Sequence, residues 1–468
     1  MTGVPLIIAF VVAIVVMILL ISKLKVHPFL SIMLVSLVLA LVAGIPLNDV
    51  KEINDAGKEV VVTPGIASVI GSGFSGTFTS IGIVIILGAF IGAVLEKTGA
   101  ALKLADMVIK LVGEKHPELA LELMGWVVSI PVFCDSGFVI LNPIRKALVK
   151  RTMKSSVACT VCLSCGLYIA HVFIPPTPGP IAAAQTLGVG ENLLLVMGLG
   201  ALCSIFPLVA GFFYARFVGR KIKSADETAD SEEVVKTYEE LKAEYGKLPN
   251  GVNALAPLVV PILLMALSSV ASMAKWTGFI AQLLTFLGTP IIALAVGTLL
   301  AILQLFLAKK GKEFYELTND TLKIVGPILF VTAAGGVLGK VIASSDMVNY
   351  IKAHATVLET LGIFFPFLLS AILKSAQGSS TVAITTTAGI VRPLLGILGF
   401  TTPVEISLVV MAIGAGAMTV SHANDSYFWV VTNFGDMTPS QGYRTQTLMT
   451  LVIGLAAMAE IFILSLIF

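Results

Sequence analysis

Charge is what this sequence has least of. Asp, Glu, Lys and Arg make up 12% of its 468 residues, against roughly 25% in soluble domains, while 57% are hydrophobic. That excludes a soluble globular chain and predicts an all-α polytopic membrane protein. A net charge of +2 gives no field for an acidic partner, and no nucleic acid is expected. Five cysteines make no disulfide framework. Cys159, Cys162 and Cys165 recur at a metal-like spacing, but no fourth ligand from a solvated turn accompanies them. They read as small, soft residues on a packed helical face. No metal and no cofactor are expected. The apolar stretch Gly3–Ile21 has neither a basic n-region nor a small-residue cleavage site, so it is expected to be a retained first span. Gly71-x-Gly73-x-x-Gly76 matches a dinucleotide fingerprint but lacks a preceding strand and a βαβ context. Neither a Ser/His/Asp arrangement nor a His-Glu-x-x-His motif occurs, and no enzyme is expected.

What is present is polarity in the wrong places. Lys374-Ser375-Ala376-Gln377-Gly378-Ser379-Ser380-Thr381 sits between two apolar runs, neither of which spans a bilayer comfortably. Irregular backbone at membrane depth is tolerated only where protein buries it or water reaches it. The stretch therefore predicts a re-entrant hairpin with its polar tip near the midplane. A similar stretch, Pro131-Val132-Phe133-Cys134-Asp135-Ser136-Gly137, predicts an earlier hairpin over Leu119–Ala147. Each is followed by a break inside a long apolar segment. The first is Ile174-Pro175-Pro176-Thr177-Pro178-Gly179-Pro180, and the second is Ser421-His422-Ala423-Asn424-Asp425-Ser426. Hairpin and break lie about 40 residues apart in one half and about 44 in the other. The chain thus reads as two halves offset by about 245 residues, and paired interruptions of this kind point to a transporter's site.

Spans need about 20 apolar residues. They are expected at Gly3–Ile21, Phe29–Ile45, Ser80–Leu95, Ser155–Leu187 (broken at Pro175–Pro180) and Leu193–Val218. The second half should repeat them at Ala254–Met273, Pro290–Ala308, Gly326–Ile342, Val404–Phe434 (broken) and Leu448–Phe468. Asn48–Thr63 reads as a polar loop and Lys97–Val112 as an interfacial helix. The expected architecture is ten spans plus two hairpins: residues 1–219 a first repeat, 220–250 a cytoplasmic linker, 251–468 a second, inverted repeat. Lysine and arginine groups follow spans one, three and five, the first hairpin and span seven. Ten crossings put all of them on one side, the cytoplasmic side. The first hairpin then enters from the cytoplasm and the second from outside.

Hairpin tips and broken helices bring helix N-termini to the midplane. There the positive end of the dipole and free N–H groups suit a carboxylate. Ser136, Gly137, Gly378, Ser379, Ser380 and Thr381 occupy such positions. Pro175, Pro176, Pro178 and Pro180 prevent a continuous helix, which leaves Pro176, Thr177 and Gly179 to line the break. Lys374 is the one basic residue in the first arm of the second hairpin; it reads as a counter-ion to a carboxylate, against the plainer reading of snorkelling. Asp135, Asp425, His171 and His422 are intramembrane ionisable groups. His171 can equally be a satisfied helix contact, whereas Asn424 and Asp425 accompany His422. Asp135, His422 or Asp425 is expected to carry the coupling proton. Asn142, Trp126 and Trp429 read as packing residues, and Glu96 and Lys340, which match between the halves, as interfacial charges.

Phe133-x-x-x-Gly137-Phe138-Val139, Ile174-Pro175-Pro176-Thr177-Pro178-Gly179-Pro180, Gly378-Ser379-Ser380-Thr381-Val382-Ala383 and Ser421-His422-Ala423-Asn424-Asp425-x-x-Phe428-Trp429 together resemble the gluconate permease family of the ion transporter superfamily. The resemblance covers nearly the whole chain. It implies proton-coupled uptake of sugar acids across a bacterial inner membrane, an elevator-type inverted repeat, and a substrate site formed by tips and breaks. Against the family's pattern the chain has Asp135 for a glutamate, Thr177 for a histidine and Lys374 for an arginine. It also has Gln377 for an apolar residue and Ser426-Tyr427 for a proline-glycine pair. The basic character at Lys374 is kept. The other changes leave room for another hydroxy acid or an amino acid such as serine. The reading is a proton symporter for a small hydroxylated carboxylate, with a sodium-coupled carrier of the same fold as the alternative. A membrane enzyme and a channel are the weaker classes. The expected partners are the substrate, protons and the lipid bilayer; a homodimer is kept open.

Overall fold

The computed structural model describes residues 3–53, 58–113, 116–228, 248–273, 276–347, 350, 361–422 and 425–468. The chain is mostly helical. Helices α1 (Val4–Ser22) and α2 (Pro28–Val42) lead to a small antiparallel hairpin of β1 (Val50–Ile53) and β2 (Glu59–Thr63). Then come α3 (Ile66–Lys97), α4 (Ala100–Val112), α5 (Pro117–Val128), α6 (Cys134–Thr152), α7 (Ser156–Phe173), α8 (Pro178–Leu187), α9 (Leu193–Leu202) and α10 (Ile205–Gly219). The second half runs through α11 (Gly251–Met273), α12 (Phe279–Gly288), α13 (Pro290–Leu307) and α14 (Phe314–Ala343). It continues with α15 (Phe364–Gln377), α16 (Ser380–Val391), α17 (Pro403–Met418), α18 (Ser426–Phe434) and α19 (Leu448–Ser465). Among the described residues, seven helical segments are long and apolar enough to cross a membrane, and eight if the bent pair formed by α4 and the second part of α3 is one span.

The helices sort into two packed groups. In one, α3 and α14 lie side by side, flanked by α2, α11, α12 and α13. In the other, α5 packs on α7 and α15 on α17, with α6, α8, α10, α16, α18 and α19 around them. The groups meet where α8 lies on α3 and α16 on α14. Every residue of α7 is buried, as is Ser407–Met418 of α17. Accordingly α7 is rich in Ala, Ser, Cys and Gly and α17 in Ala and Gly, since small side chains let helix backbones approach closely in a membrane. Two approaches show it. A Cβ on Gly166 of α7 would lie 1.9 Å from the Glu122 carbonyl of α5, and one on Gly416 of α17 2.2 Å from the Phe367 carbonyl of α15. By contrast α1, α11 and α13 bury a third or less of their apolar windows, leaving wide faces for lipid.

Four local features differ from the expectations. Helix α3 begins at Ile66 rather than Ser80, although Gly71, Gly73 and Gly76 each cost about 1 kcal/mol of helix propensity. Packing outweighs that cost: at Gly73 a Cβ would meet the Val337 Cα of α14 at 2.8 Å. The fingerprint-like glycines therefore lie on a helix, not on a phosphate loop. The Asn48–Thr63 stretch contains a strand pair rather than only loop. Helix α12 has no counterpart in the expected spans, and the fifth expected span is divided between α9 and α10.

Candidate functional site

Helix–turn–helix pairs stand where both hairpins are expected, and helices are interrupted where both breaks are expected. The first hairpin turns at Ser129–Phe133 between α5 and α6; the second turns at Gly378-Ser379 between α15 and α16. Asp135, Ser136 and Gly137 lie in the first turn of α6, and Ser380 and Thr381 open α16. Gly378 closes α15 in the left-handed region, φ 91°, which glycine adopts without a Cβ penalty. Ser379 then caps α16 by accepting from the Val382 N–H at 3.3 Å. That leaves the N–H groups of Ser380 and Thr381 among those a helix start cannot pair internally.

The second break runs from Thr419 to Asp425; Ala423 and Asn424 lie outside the described residues. Val420 sits at φ 59°, a left-handed conformation that a β-branched residue avoids and that costs roughly 1–3 kcal/mol. This kink swings the chain out of α17 so that Asp425 can start α18. The Asp425 carboxylate has two jobs. Its Oδ1 accepts from the Tyr427 N–H at 3.1 Å, capping α18. Its Oδ2 accepts from Lys374 Nζ at 2.5 Å and from Ser421 Oγ at 2.5 Å, with the Tyr168 hydroxyl 3.5 Å away. Lys374 also donates to the Gly378 carbonyl and stands 5.7 Å over the Tyr168 ring. The lysine side chain is 1% exposed and the aspartate 5%. Lys374 therefore does not snorkel to an interface; it is held at the joint between tip and break.

Asp135 comes to the same place from the other half. Its Oδ1 accepts from Ser426 Oγ, in the first turn of α18, at 3.1 Å. The N-termini of α6 and α18 are thereby neighbours. His422 Nε2 lies 3.1 Å from the Ser375 carbonyl and 3.3 Å from its hydroxyl, which ties the break to the last turn of α15. With its carboxylates ionised, the cluster of Lys374, Asp425 and Asp135 carries one formal positive and two formal negative charges. Ser375, Ser379 and Ser426 are exposed, and Asp135 and Ser136 half-buried, so this centre has an open polar side.

The first break contributes less polarity. Pro175 and Pro176, joined by a cis peptide bond, line an apolar crevice with Ile181, Met197 and Pro261. The Thr177 hydroxyl donates to the Ile174 carbonyl at 2.7 Å, and Gly179 lies against Ile384 of α16. Pro178 and Pro180 have no N–H, so the start of α8 offers few anion donors. His171 is buried, with its ring 6.0 Å from that of Phe133 and its Nδ1 without a hydrogen-bond partner among the described residues. Gln377 is the last residue of α15.

Sequence reasoning passed over several participants. Tyr168 bridges to Asp425 from the middle of the expected fourth span. Its ring is 5.1 Å from that of Tyr427, whose hydroxyl donates to the Ser164 carbonyl at 3.2 Å. Ser164 Oγ in turn donates to Gln446 at 2.7 Å. Glu122, 1% exposed in α5, is a buried carboxyl in the first hairpin arm. Arg145 is fully buried in α6, donating to Asn142 Oδ1 at 2.7 Å, to Ser156 and to the Phe434 carbonyl at 3.2 Å. One signal was available: charged residues within hairpin arms.

Hairpins and half-helices meeting at a buried ion pair are the geometry of a membrane carrier, and comparison with known proteins says which. The family model described as "GntP family permease" matches residues 4–467. The chain belongs to the GntP permease family. It is 35% identical over 444 residues to an uncharacterized permease of Haemophilus influenzae, covering 92% of this chain and 86% of that one. It is 32% identical to the inner membrane permease YgbN of Escherichia coli (94% of each chain). It is 29% identical to a gluconate permease of Zymomonas mobilis (95% and 94%). Among solved structures it resembles MtrF of Neisseria gonorrhoeae, described among antimetabolite efflux pumps, with a TM-score of 0.65 at 15% identity over 95% and 96% of the chains. That likeness shows the fold. This permease is therefore a multi-pass inner-membrane protein and not an enzyme.

Proposed function

We propose that this permease takes up a small hydroxylated carboxylate, a gluconate-like sugar acid, across the inner membrane together with protons. The observation that carries the reading is the buried Lys374–Asp425 pair at the joint of the second tip and break. A lone lysine near the midplane costs roughly 3 kcal/mol on insertion scales; Asp425 offsets that cost in the empty carrier. An incoming carboxylate meets one cation already matched and a further carboxylate, Asp135, nearby. Protonation of Asp425 or Asp135 removes the excess negative charge. At Asp425 it also frees the Lys374 ammonium to pair with the substrate, while the N–H groups of Ser380 and Thr381 and the hydroxyl of Ser379 complete the anion cradle. Ser136, Ser426 and His422 offer partners for the substrate's hydroxyls. This is proton coupling by charge balance: the anion binds well only after a proton has bound. The Zymomonas relative named a gluconate permease supports the sugar-acid class.

The same reading gives the architecture. Residues 1–219 and 251–468 form two repeats of opposite orientation, ten spans and two hairpins in all, joined by a cytoplasmic 220–250 linker. The group holding both hairpins moves against the α3–α14 group. Basic residues after the third and seventh expected spans meet on one face in support: Lys97 pairs with Glu313 at 2.5 Å and Lys310 donates to the Lys97 carbonyl at 2.8 Å. That face is cytoplasmic.

Purified permease in vesicles tests the reading. An inside-alkaline pH gradient should drive accumulation of labelled gluconate, and a protonophore should abolish it. Accumulation driven by a sodium gradient at equal pH would replace protons by sodium. A thermal shift with serine or another acid, and none with gluconate, would move the substrate.

A further inference from the structure

The proposed substrate site leaves unused a polar cavity between the two helix groups. It measures about 530 Å³ and lies where α8 and α16 end, at the C-terminal end of α14. Its walls come from both helix groups: Ser72 of α3 and Lys340 of α14 on one side, Gln185, Thr186 and Arg392 on the other. Among the described residues the lining contains two cations and no carboxylate, and both cations are exposed. Arg392 donates one N–H to the Thr186 carbonyl at the end of α8. A guanidinium carries five N–H donors in a fixed fork, so the contact fixes its position without exhausting its donors. The cavity is within the range of small-molecule pockets, about 300–1,000 Å³.

Its position in the fold gives it a use. Helices α8 and α16 both start at the breaks and tips and both end at this cavity. Ten residues of α8 at 1.5 Å each separate the two by about 15 Å. On the orientation proposed above the cavity opens outward. A pair of cations without a neighbouring carboxylate among the described residues concentrates anions at the mouth of the path.

We propose that the Lys340–Arg392 cavity is an outer anion-binding site, which receives a small carboxylate before it reaches the Lys374–Asp425 joint. The cations define an anion; the carboxylate class rests on the proposed function. Lys340, whose sequence position suggests only an interfacial charge, is then part of the intake path, and Arg392 does more than cap α8.

The test does not depend on transport. All five native cysteines are buried, so Ser72→Cys reports the cavity. Purified protein is reacted with an anionic and a cationic methanethiosulfonate at low ionic strength, with and without gluconate. The anionic reagent is expected to react about ten times faster. Lys340→Gln should cut that preference severalfold and Lys340→Gln with Arg392→Gln should bring it close to one, while Arg392→Lys keeps it. Millimolar gluconate should slow labelling, and glucose at the same concentration should not. Equal rates for the two reagents, or a preference that survives both substitutions, overturns the proposal. An anion preference without protection by gluconate but with protection by another carboxylate keeps the outer site and moves the substrate. Anion preference with protection by no carboxylate means a field without a site, and overturns it. Lys340→Gln lies on an exposed position and decides the matter if the Arg392 variant does not fold.

Discussion

Lys374 Nζ and Asp425 Oδ2 lie 2.5 Å apart, 51 residues apart in the chain and almost wholly buried. The lysine ends the first arm of one hairpin and the aspartate starts the half-helix after the break. A single ion pair therefore locks tip to break. The same carboxylate caps α18 through the Tyr427 N–H, so releasing the lysine need not unwind the helix.

Removing either partner should cost far more than removing both. Breaking a buried pair from one side costs about 3–5 kcal/mol, whereas apolar replacement of both partners is often neutral. Lys374→Met and Asp425→Leu are each expected to lower the melting temperature markedly, and the double variant to recover part of the loss. Lys374→Met and the double variant should not bind gluconate. Lys374→Arg should keep measurable binding, because the cation remains. Calorimetric binding together with thermal melts checks this; tight binding by Lys374→Met would show that the lysine is structural only.

Orientation is testable because the native cysteines are all buried. Ser344→Cys, at the end of α14, should react with an impermeant maleimide in intact cells. Lys223→Cys, in the segment after α10, should react only after permeabilisation. The reverse pattern would invert the permease and turn the Lys340–Arg392 cavity inward.

Outside the membrane, Asp49 joins the β-hairpin to the start of α3. It accepts from the Gly65 N–H at 2.6 Å and from Ser68 Oγ at 2.9 Å. The Gly65 N–H and the Ser68 hydroxyl hold its carboxyl below the usual carboxylate range. A depressed folded pKa means stability that is present above the unfolded value, near 3.9, and lost as pH falls through the folded one. Asp49→Asn should therefore melt lower than the parent at pH 6. The difference should shrink below about pH 4; a constant difference across that window would argue against the carboxylate as its source.

The hairpins and breaks were legible because apolar runs too short to span, interrupted by Gly, Pro and Ser, admit few structures in a bilayer. Lys374 and Asp425 were legible as residues that burial makes expensive. Their pairing was less so: Asp135 and Asp425 were equally available in sequence, and the tertiary fold, which brings the start of α18 to the last turn of α15, sets Asp425 against the lysine. The glycine-rich start of α3 was misjudged because its helix rests on contact with α14, more than 250 residues away, rather than on local propensity. Tyr168 was hidden for the opposite reason, since nothing in its own helix announces a polar partner on another.

Coupling is the part of the mechanism that the charge count constrains most. The tip carries Lys374 against Asp425 and Asp135, and Ser426 holds Asp135 beside the start of α18. If a proton must bind before the anion, one of these carboxylates has to take it, or His422 must do so beside Ser375. Asp135→Asn mimics the protonated residue permanently without touching Lys374. It is expected to leave gluconate binding nearly intact but to flatten its dependence on pH and to lose accumulation against a gradient while keeping exchange. Asp425→Asn mimics protonation at the lysine's own partner and leaves the ammonium free, so where it folds it should bind gluconate without the pH dependence, at a cost in stability. His422→Gln should keep coupled uptake if the carboxylates carry the proton, with a modest loss from the broken contact to Ser375. Uptake measured against pH in vesicles, with counterflow exchange as the second readout, separates these outcomes. Full pH-dependent accumulation by Asp135→Asn and loss of coupling in His422→Gln would assign the proton to the histidine. Full coupling in all three variants would remove proton binding at this joint from the mechanism.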